Sequence, residues 1–142
     1  DILESLELKA KENKTTLRFA ENYSNEILVS CDKDKIGQVM QNLIINAIKY
    51  SDPGTEVVVR FTDAERNLLI EIEDNGPGID EKHISRLFER FYRVDKSRAR
   101  NEGGTGLGLS IVKHIIEAHG HTVQVSSIEG KGSNFFFTLT KI

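Results

Sequence analysis

Four polar residues, Gln38, Asn42, Asn46 and Lys49, recur at spacings of four, four and three in an otherwise apolar stretch. Each residue of a helix turns by ~100°, so these spacings gather the four into one narrow stripe. Such a stripe on a largely buried helix often does no more than face water. Asparagine, however, is a poorer helix former than the Glu, Lys or Gln common at exposed positions, and its amide oxygen is a good neutral ligand for a hard cation. One turn on, the Lys49 ammonium is a point charge suited to a phosphate. The stripe therefore reads either as a solvated face or as a surface for cation and phosphate chemistry.

The segment Asp74-Asn75-Gly76-Pro77-Gly78 closes an apolar run and also has two readings. Asn-Gly and Gly-Pro mark turns wherever they occur. Equally, Asp74 could accept a hydrogen bond from the exocyclic amino group of adenine, while Gly76 and Gly78 let backbone approach the ring. Further on, Gly103-Gly104-Thr105-Gly106-Leu107-Gly108-Leu109-Ser110 opens a helix. Backbone N–H groups at a glycine-rich helix start form an anion site suited to phosphates. Two common phosphate loops are excluded. A dinucleotide fingerprint needs a preceding strand and a glycine where Ile111 stands, and a P-loop needs Gly-Lys-Ser/Thr, which is lacking. Gly130-Lys131-Gly132 fails the same test, with Val125 where the first glycine should be, and reads as a hairpin turn. Between these motifs lies Leu87-Phe88-Glu89-Arg90-Phe91-Tyr92-Arg93. Phe88 and Phe91 belong to a core and most of the charges to a solvated loop, but Arg93 beside a phosphate loop would neutralise transferring charge. His83, His114, His119 and His121 lack ligand spacing and read as surface or packing residues.

The elements that must hold these residues follow from periodicity. Residues 2–13 predict a short amphipathic helix on Leu3, Leu6 and Ala10, and 15–21 and 27–31 predict strands. A long helix runs from about Asp34 to Ser51, stopped by Asp52-Pro53-Gly54, with Ile36, Val39, Met40, Leu43, Ile44, Ala47 and Ile48 inward. Glu56–Thr62 and Asn67–Asp74 alternate as a hairpin about Asp63–Arg66. Glu81–Leu87 predicts a short helix and Arg93–Thr105 a loop. Gly106–His119 predicts a second strong helix, with Leu107, Ile111, Ile115 and Ala118 on one side. Thr122–Ile128 and Ser133–Lys141 form a last hairpin with Phe135, Phe137 and Leu139 on one face. Helices interleaved with hairpins predict an α/β sandwich: a mixed, mostly antiparallel sheet with helices on one face.

The chain has 142 residues with 38% apolar and 29% charged, which suits one globular domain with one core. A net charge of −3, with no long basic block, leaves no footprint for nucleic acid. Cys31 is the single cysteine, so no internal disulfide forms and a reducing compartment fits. No apolar run approaches the ~18 residues of a membrane span, and the first residues lack signal-peptide order. The chain begins at Asp1 rather than Met, which suggests a piece of a longer parent.

Taken together, the motifs resemble those of bacterial sensor histidine kinases. Asn42–Tyr50 looks like the family's N box, Asp74–Gly78 its first glycine box, Phe88–Phe91 its F box and Gly104–Leu109 its second glycine box, in the family's order. The wording Arg-Phe-Tyr-Arg-Val-Asp-Lys-Ser-Arg is most similar to phosphate- and envelope-sensing members. The resemblance implies the Bergerat-type ATP-binding fold shared with gyrase, mismatch-repair ATPases and a heat-shock chaperone, and it implies ATP and Mg²⁺ as cofactors. Asn46 would ligate Mg²⁺, with Asn42 supporting the metal and phosphate site. Lys49 and Arg93 would reach phosphates, Tyr50 would line the pocket, and Asp74 would read adenine between Gly76 and Gly78. Gly104, Thr105, Gly106, Leu107 and Gly108 would wrap the triphosphate, and residues 93–105 would form an ATP lid.

By the same resemblance the whole of 1–142 is the catalytic ATP-binding domain. The phosphoacceptor, a histidine followed by an acidic residue and then a proline, would lie on a separate dimeric helical hairpin, and none of the four histidines fits it. This stretch alone would then bind ATP as a monomer without autophosphorylating. Its partners would be the histidine-bearing domain of a homodimeric parent and a cytoplasmic response regulator. Its place would be the cytoplasmic side of an inner-membrane sensor. The pattern departs at His121, where many members carry glycine, which a strand start tolerates. Rivals are a serine kinase of anti-sigma type, an ATPase, or a non-catalytic nucleotide switch. The F box and the Asn42 that stands in place of a water-activating glutamate argue against an ATPase.

Overall fold

The alternating runs pair as their period requires. β2 (Glu56–Ala64) and β3 (Asn67–Asp74) form an antiparallel hairpin that sets Val59 against Ile72 and Phe61 against Ile70. β4 (Val123–Ile128) and β5 (Gly132–Thr140) form a second, and β5 also pairs antiparallel with β3, placing Phe137 opposite Ile70. β1 (Thr16–Asn22) joins the other side of β2 in parallel. Parallel neighbours need a crossover, and α2 (Lys33–Tyr50) supplies it. The strand order is β1-β2-β3-β5-β4, a mixed and mostly antiparallel sheet as expected. These elements come from a computed structural model that describes residues 2–22, 28–89 and 108–142.

The helices α1 (Ile2–Glu12), α2 and α4 (Gly108–Ala118) cover one face; α3 (Glu81–Ile84) is a single turn. Inward residues of β2, β3 and β5, including Val57, Val59, Ile70, Ile72, Phe135 and Phe137, share one buried cluster with Leu6 and Ala10 of α1, Leu43 and Ile44 of α2, and Val112 and Ile116 of α4. The other face of the sheet carries Arg18 paired with Glu56, and Arg60 with Glu71 and Glu73.

The ends of α2 are closely defined. Asp32 caps its start, its carboxylate accepting from the N–H groups of Asp34 and Lys35 at 3.1 and 3.2 Å. At the other end the Asn13 amide donates to the Ile48 carbonyl at 2.6 Å and to the Ser51 carbonyl at 3.3 Å, satisfying groups that the helix leaves open.

Three expectations change. Among residues 28–31 there is only a single bridge, Val29 to Lys141, rather than a strand. The helix expected over Glu81–Leu87 stops at Ile84, because the next N–H groups bond three residues back, Arg86 to His83 and Leu87 to Ile84. The tighter turn delivers Leu87 to the core. On α4 the buried residues are Val112, Ile115 and Ile116, while Ala118 is exposed and Leu107 lies outside the described residues. Leu109, Ile111, Val112, Ile115 and Ile116 are all apolar, so helical period alone admits two faces, and packing against α2 selects the one with Val112.

Candidate functional site

β3 buries alternate residues, Leu68, Ile70 and Ile72, and the next inward position is Asp74. Strand alternation therefore carries a carboxylate to where a hydrophobe would otherwise stand. Asp74 is 6% exposed. Its Oδ1 accepts the Gly76 N–H at 2.9 Å, and the Ser133 backbone N–H also bonds the carboxylate. Burial raises its pKa above the ordinary carboxylate value; the two N–H bonds oppose that rise, and the charges of Glu73 and Asp52 add to it. A buried, ionisable acceptor at a strand end is matched to a ligand that brings a donor.

The same end of the sheet is polar across three strands. Asp74 pairs with Ser133 of β5, and Ser133 with Ser127 of β4. Each ends an inward apolar series: Val123 and Val125 precede Ser127, and Phe135, Phe137 and Leu139 follow Ser133. Sequence reasoning missed both serines. Their signal was the polar break in each alternating run, read earlier only as hairpin.

Gly76 and Gly78 are explained by the protein's own backbone. A Cβ on Gly76 would run into the carbonyl oxygen of Tyr50 and lie 3.1 Å from the Asp74 carboxylate. Gly78 has φ of +77°, and a Cβ there would strike the Ile128 carbonyl. Further bonds hold this arc to the β4–β5 turn: the Gly130 N–H donates to the Pro77 carbonyl at 2.7 Å, and the Ile79 N–H to the Ser127 hydroxyl at 2.7 Å.

The Gly76–Tyr50 contact brings the arc to the C-terminal end of α2. There Asn42, Asn46, Lys49 and Tyr50 are half-buried and Gln38 is exposed, while Ile36, Val39, Leu43, Ile44, Ala47 and Ile48 are buried. The polar stripe is thus left off the core, and Tyr50, which follows its last residue Lys49, adjoins the Asp74 loop. Gly108 begins α4 with nothing within 4 Å of where its Cβ would be. Arg93, Gly104, Thr105, Gly106 and Leu107, and with them the expected lid, lie outside the described residues.

Among the described residues no group of three His, Cys, Asp or Glu side chains could hold a metal. The donors on the stripe are the amide oxygens of Asn42 and Asn46. That set fits magnesium, which keeps several waters and binds jointly through one or two protein oxygens and substrate phosphates. A shallow hollow of about 470 Å³, lined by Ser30, Cys31, Asp32, Ala118, His119 and Thr140, sits at the other end of α2 and shares no residue with this site. His119 is structural there, its Nε2 accepting the Asp32 N–H at 3.0 Å and its Nδ1 facing the Ile115 carbonyl. His121 lies between the hydroxyls of Thr138 and Thr140.

Residues 31–141 match the model of the histidine kinase-, DNA gyrase B- and HSP90-like ATPases, and the chain belongs to that family. It is 47% identical over 116 residues, 80% of its length, to the sensor histidine kinase WalK of Bacillus subtilis, of which it covers 19%. It is 39% identical over 142 residues to the sensor protein SrrB of Staphylococcus aureus, covering 99% of this chain and 24% of that one. It therefore spans about a fifth to a quarter of the curated relatives it matches. The crystal structure of full-length ShkA in complex with AMPPNP superposes with a TM-score of 0.83 at 26% identity, covering 99% of this chain and 29% of ShkA. No described helix is long and apolar enough to cross a membrane.

Proposed function

We propose that residues 1–142 are the ATP-binding catalytic domain of a two-component sensor histidine kinase. The domain passes the γ-phosphoryl group of ATP to a histidine on a separate dimerisation domain, for relay to a response-regulator aspartate. The observation that carries this reading is the contact between Gly76 and the Tyr50 carbonyl, which joins a buried base-reading carboxylate to the amide-bearing stripe of α2. An ATP analogue bound to a structural neighbour and the kinase identity of the relatives support it.

In this reading Asp74 accepts from the adenine amino group, Gly76 and Gly78 shape the base pocket, and Tyr50 lines it. Asn46, supported by Asn42, offers its amide oxygen to a magnesium ion that supplies charge neutralisation at the phosphates. Lys49 and Arg93 bring positive charge to the same groups, and Gly104, Thr105, Gly106, Leu107 and Gly108, at and just past the end of a lid over residues 93–105, bring backbone N–H groups. As the acceptor imidazole forms its N–P bond, the bond from Pγ to the ADP oxygen breaks. The chain's contribution is to position the phosphates and neutralise their charge. None of its four histidines is followed by an acidic residue and then a proline, so the acceptor comes from elsewhere in a homodimeric parent. In this reading the domain works on the cytoplasmic side of an inner-membrane sensor.

The test is transfer of label from γ-labelled ATP to a supplied histidine-bearing hairpin domain. Magnesium-dependent labelling of the hairpin is expected. Tight ATP binding with no transfer to any cognate hairpin would favour a nucleotide switch instead.

A further inference from the structure

The hydroxyl of Ser127 uses every hydrogen-bonding position it has. It accepts the Ile79 N–H at 2.7 Å, donates to the Gly132 carbonyl at 3.1 Å, and lies 3.0 Å from the Ser133 hydroxyl. A serine hydroxyl offers one donor and two acceptors, so it can meet all three partners, and either hydroxyl can donate in that last pair. The orientation is thereby set from three directions.

What Ser127 holds is the irregular arc between β3 and α3. Residues 75–80 have no ladder to satisfy their backbone, and an unpaired N–H in a partly buried loop is costly. The Ile79 N–H finds the Ser127 hydroxyl. The other ties between the arc and the β4–β5 turn are made by backbone: Gly130 to Pro77, and Gly78 against the Ile128 carbonyl. Ser127 is the side chain among these ties, and through Ser133 it also borders the partner strand of Asp74.

We infer that Ser127 is a positioning residue for base recognition: through the Ile79 N–H it fixes the Gly76–Gly78 arc against which adenine is read. This rests on the nucleotide reading above. Ser127 touches neither the base nor the phosphates. Its loss loosens the arc, weakens every adenine-bearing ligand by one factor, and erodes the preference for adenine over guanine. Magnesium dependence is unaffected, because the α2 stripe is held separately.

Calorimetric titration of the 142-residue chain with adenosine, Mg-ATP and Mg-GTP tests this, using the wild type, Ser127→Ala, Ser127→Thr and Asp74→Asn. Ser127→Ala is expected to bind adenosine and Mg-ATP each about tenfold more weakly, with a smaller ATP-over-GTP ratio and faster hydrogen exchange at the Ile79 amide. Ser127→Thr, which keeps the hydroxyl, restores affinity and ratio. Ser127→Cys keeps the volume but weakens the acceptor, and it replaces Ser127→Ala in the series if that variant does not fold. Wild-type affinity in Ser127→Ala beside weakened binding in Asp74→Asn overturns the role of Ser127 and leaves the adenine site intact. Lower affinity with an unchanged ATP-over-GTP ratio also overturns it, reducing Ser127 to general stability. Wild-type binding in Asp74→Asn removes the adenine reading itself, and this inference with it.

Discussion

The two halves of the site are built differently. Around Asp74 most ties are made by backbone: N–H groups of Gly76 and Ser133 on the carboxylate, a carbonyl against Gly76, another against Gly78, and the Gly130 N–H on the Pro77 carbonyl, with the Ser127 hydroxyl on the Ile79 N–H as the side-chain tie. Along α2 the proposed phosphate chemistry sits on side chains, Asn42, Asn46 and Lys49, projecting from a helix whose other face is buried. In the proposed reading the base half belongs to the fold, and the phosphate half is mounted on it. Substitutions in the first should therefore change stability and binding together. Substitutions in the second should change phosphate binding and chemistry without loss of stability.

The largest effect belongs to the base half. Gly78→Ala puts a Cβ on a residue with φ of +77° and drives it into the Ile128 carbonyl, where no flexible side chain can yield. A loss of about 4 kcal/mol of stability is expected in denaturant titration, from backbone strain plus displacement of the β4–β5 turn. A loss below about 1 kcal/mol would show that the arc is loosely held.

Next comes the phosphate half. Asn46→Ala should lower phosphotransfer to a supplied hairpin domain about 100-fold, the scale of one lost electrostatic partner in a transition state. Its denaturation midpoint should stay level or rise slightly, because alanine is the better helix former at a half-buried position. Loss of folding alongside loss of transfer would erase the contrast.

The smallest effect lies at the junction of the halves. Asn13→Ala removes the side-chain amide from the Ile48 and Ser51 carbonyls, leaving Ile48 the Ser51 N–H at 3.3 Å, and should cost about 1 kcal/mol in the same titration. Frayed at that end, α2 should also hold Lys49 and Tyr50 less firmly, seen as faster hydrogen exchange over its last turn.

Much of the fold was legible, for reasons particular residues show. In β3 and β5 the polar Glu71, Glu73, Asn134 and Thr138 fall between apolar residues around the runs 68–70 and 135–137, so Ile70, Ile72, Phe135 and Phe137 declare their face. The stripe on α2 was legible because amides interrupt an apolar helix at a helical period. The inward face of α4 was not, since nearly all its candidate residues are apolar. Asp74 drew notice through the glycines beside it, yet those glycines answer to Tyr50 and Ile128, contacts 26 and 50 residues away in sequence that no local pattern encodes. Ser127 and Ser133 were passed over because a serine at a strand end looks like part of a turn; only the register across β3, β5 and β4 lines them up with Asp74.

The raised pKa of Asp74 adds a pH signature to the base half. A carboxyl whose native pKa lies above its unfolded value contributes stability that is complete below the unfolded value, about 3.9, and is lost as pH rises through the native value. Above its native pKa the ionised Asp74 thus weighs against the unliganded fold, and there Asp74→Asn should unfold no earlier than wild type. If adenosine is read by the ionised acceptor, as proposed, wild-type affinity should fall as pH is lowered, beginning above the ordinary carboxylate range.

The most direct test of the two-part site is calorimetric titration of Asp74→Asn and Asn46→Ala with adenosine and with Mg-ATP at pH 7. Asp74→Asn should weaken both ligands by the same factor, about 30-fold for one mismatched buried polar contact. Asn46→Ala should leave adenosine at wild-type affinity and weaken only Mg-ATP. Unchanged adenosine binding in Asp74→Asn, or weakened adenosine binding in Asn46→Ala, would contradict the division of the site into a base half on β3 and a phosphate half on α2.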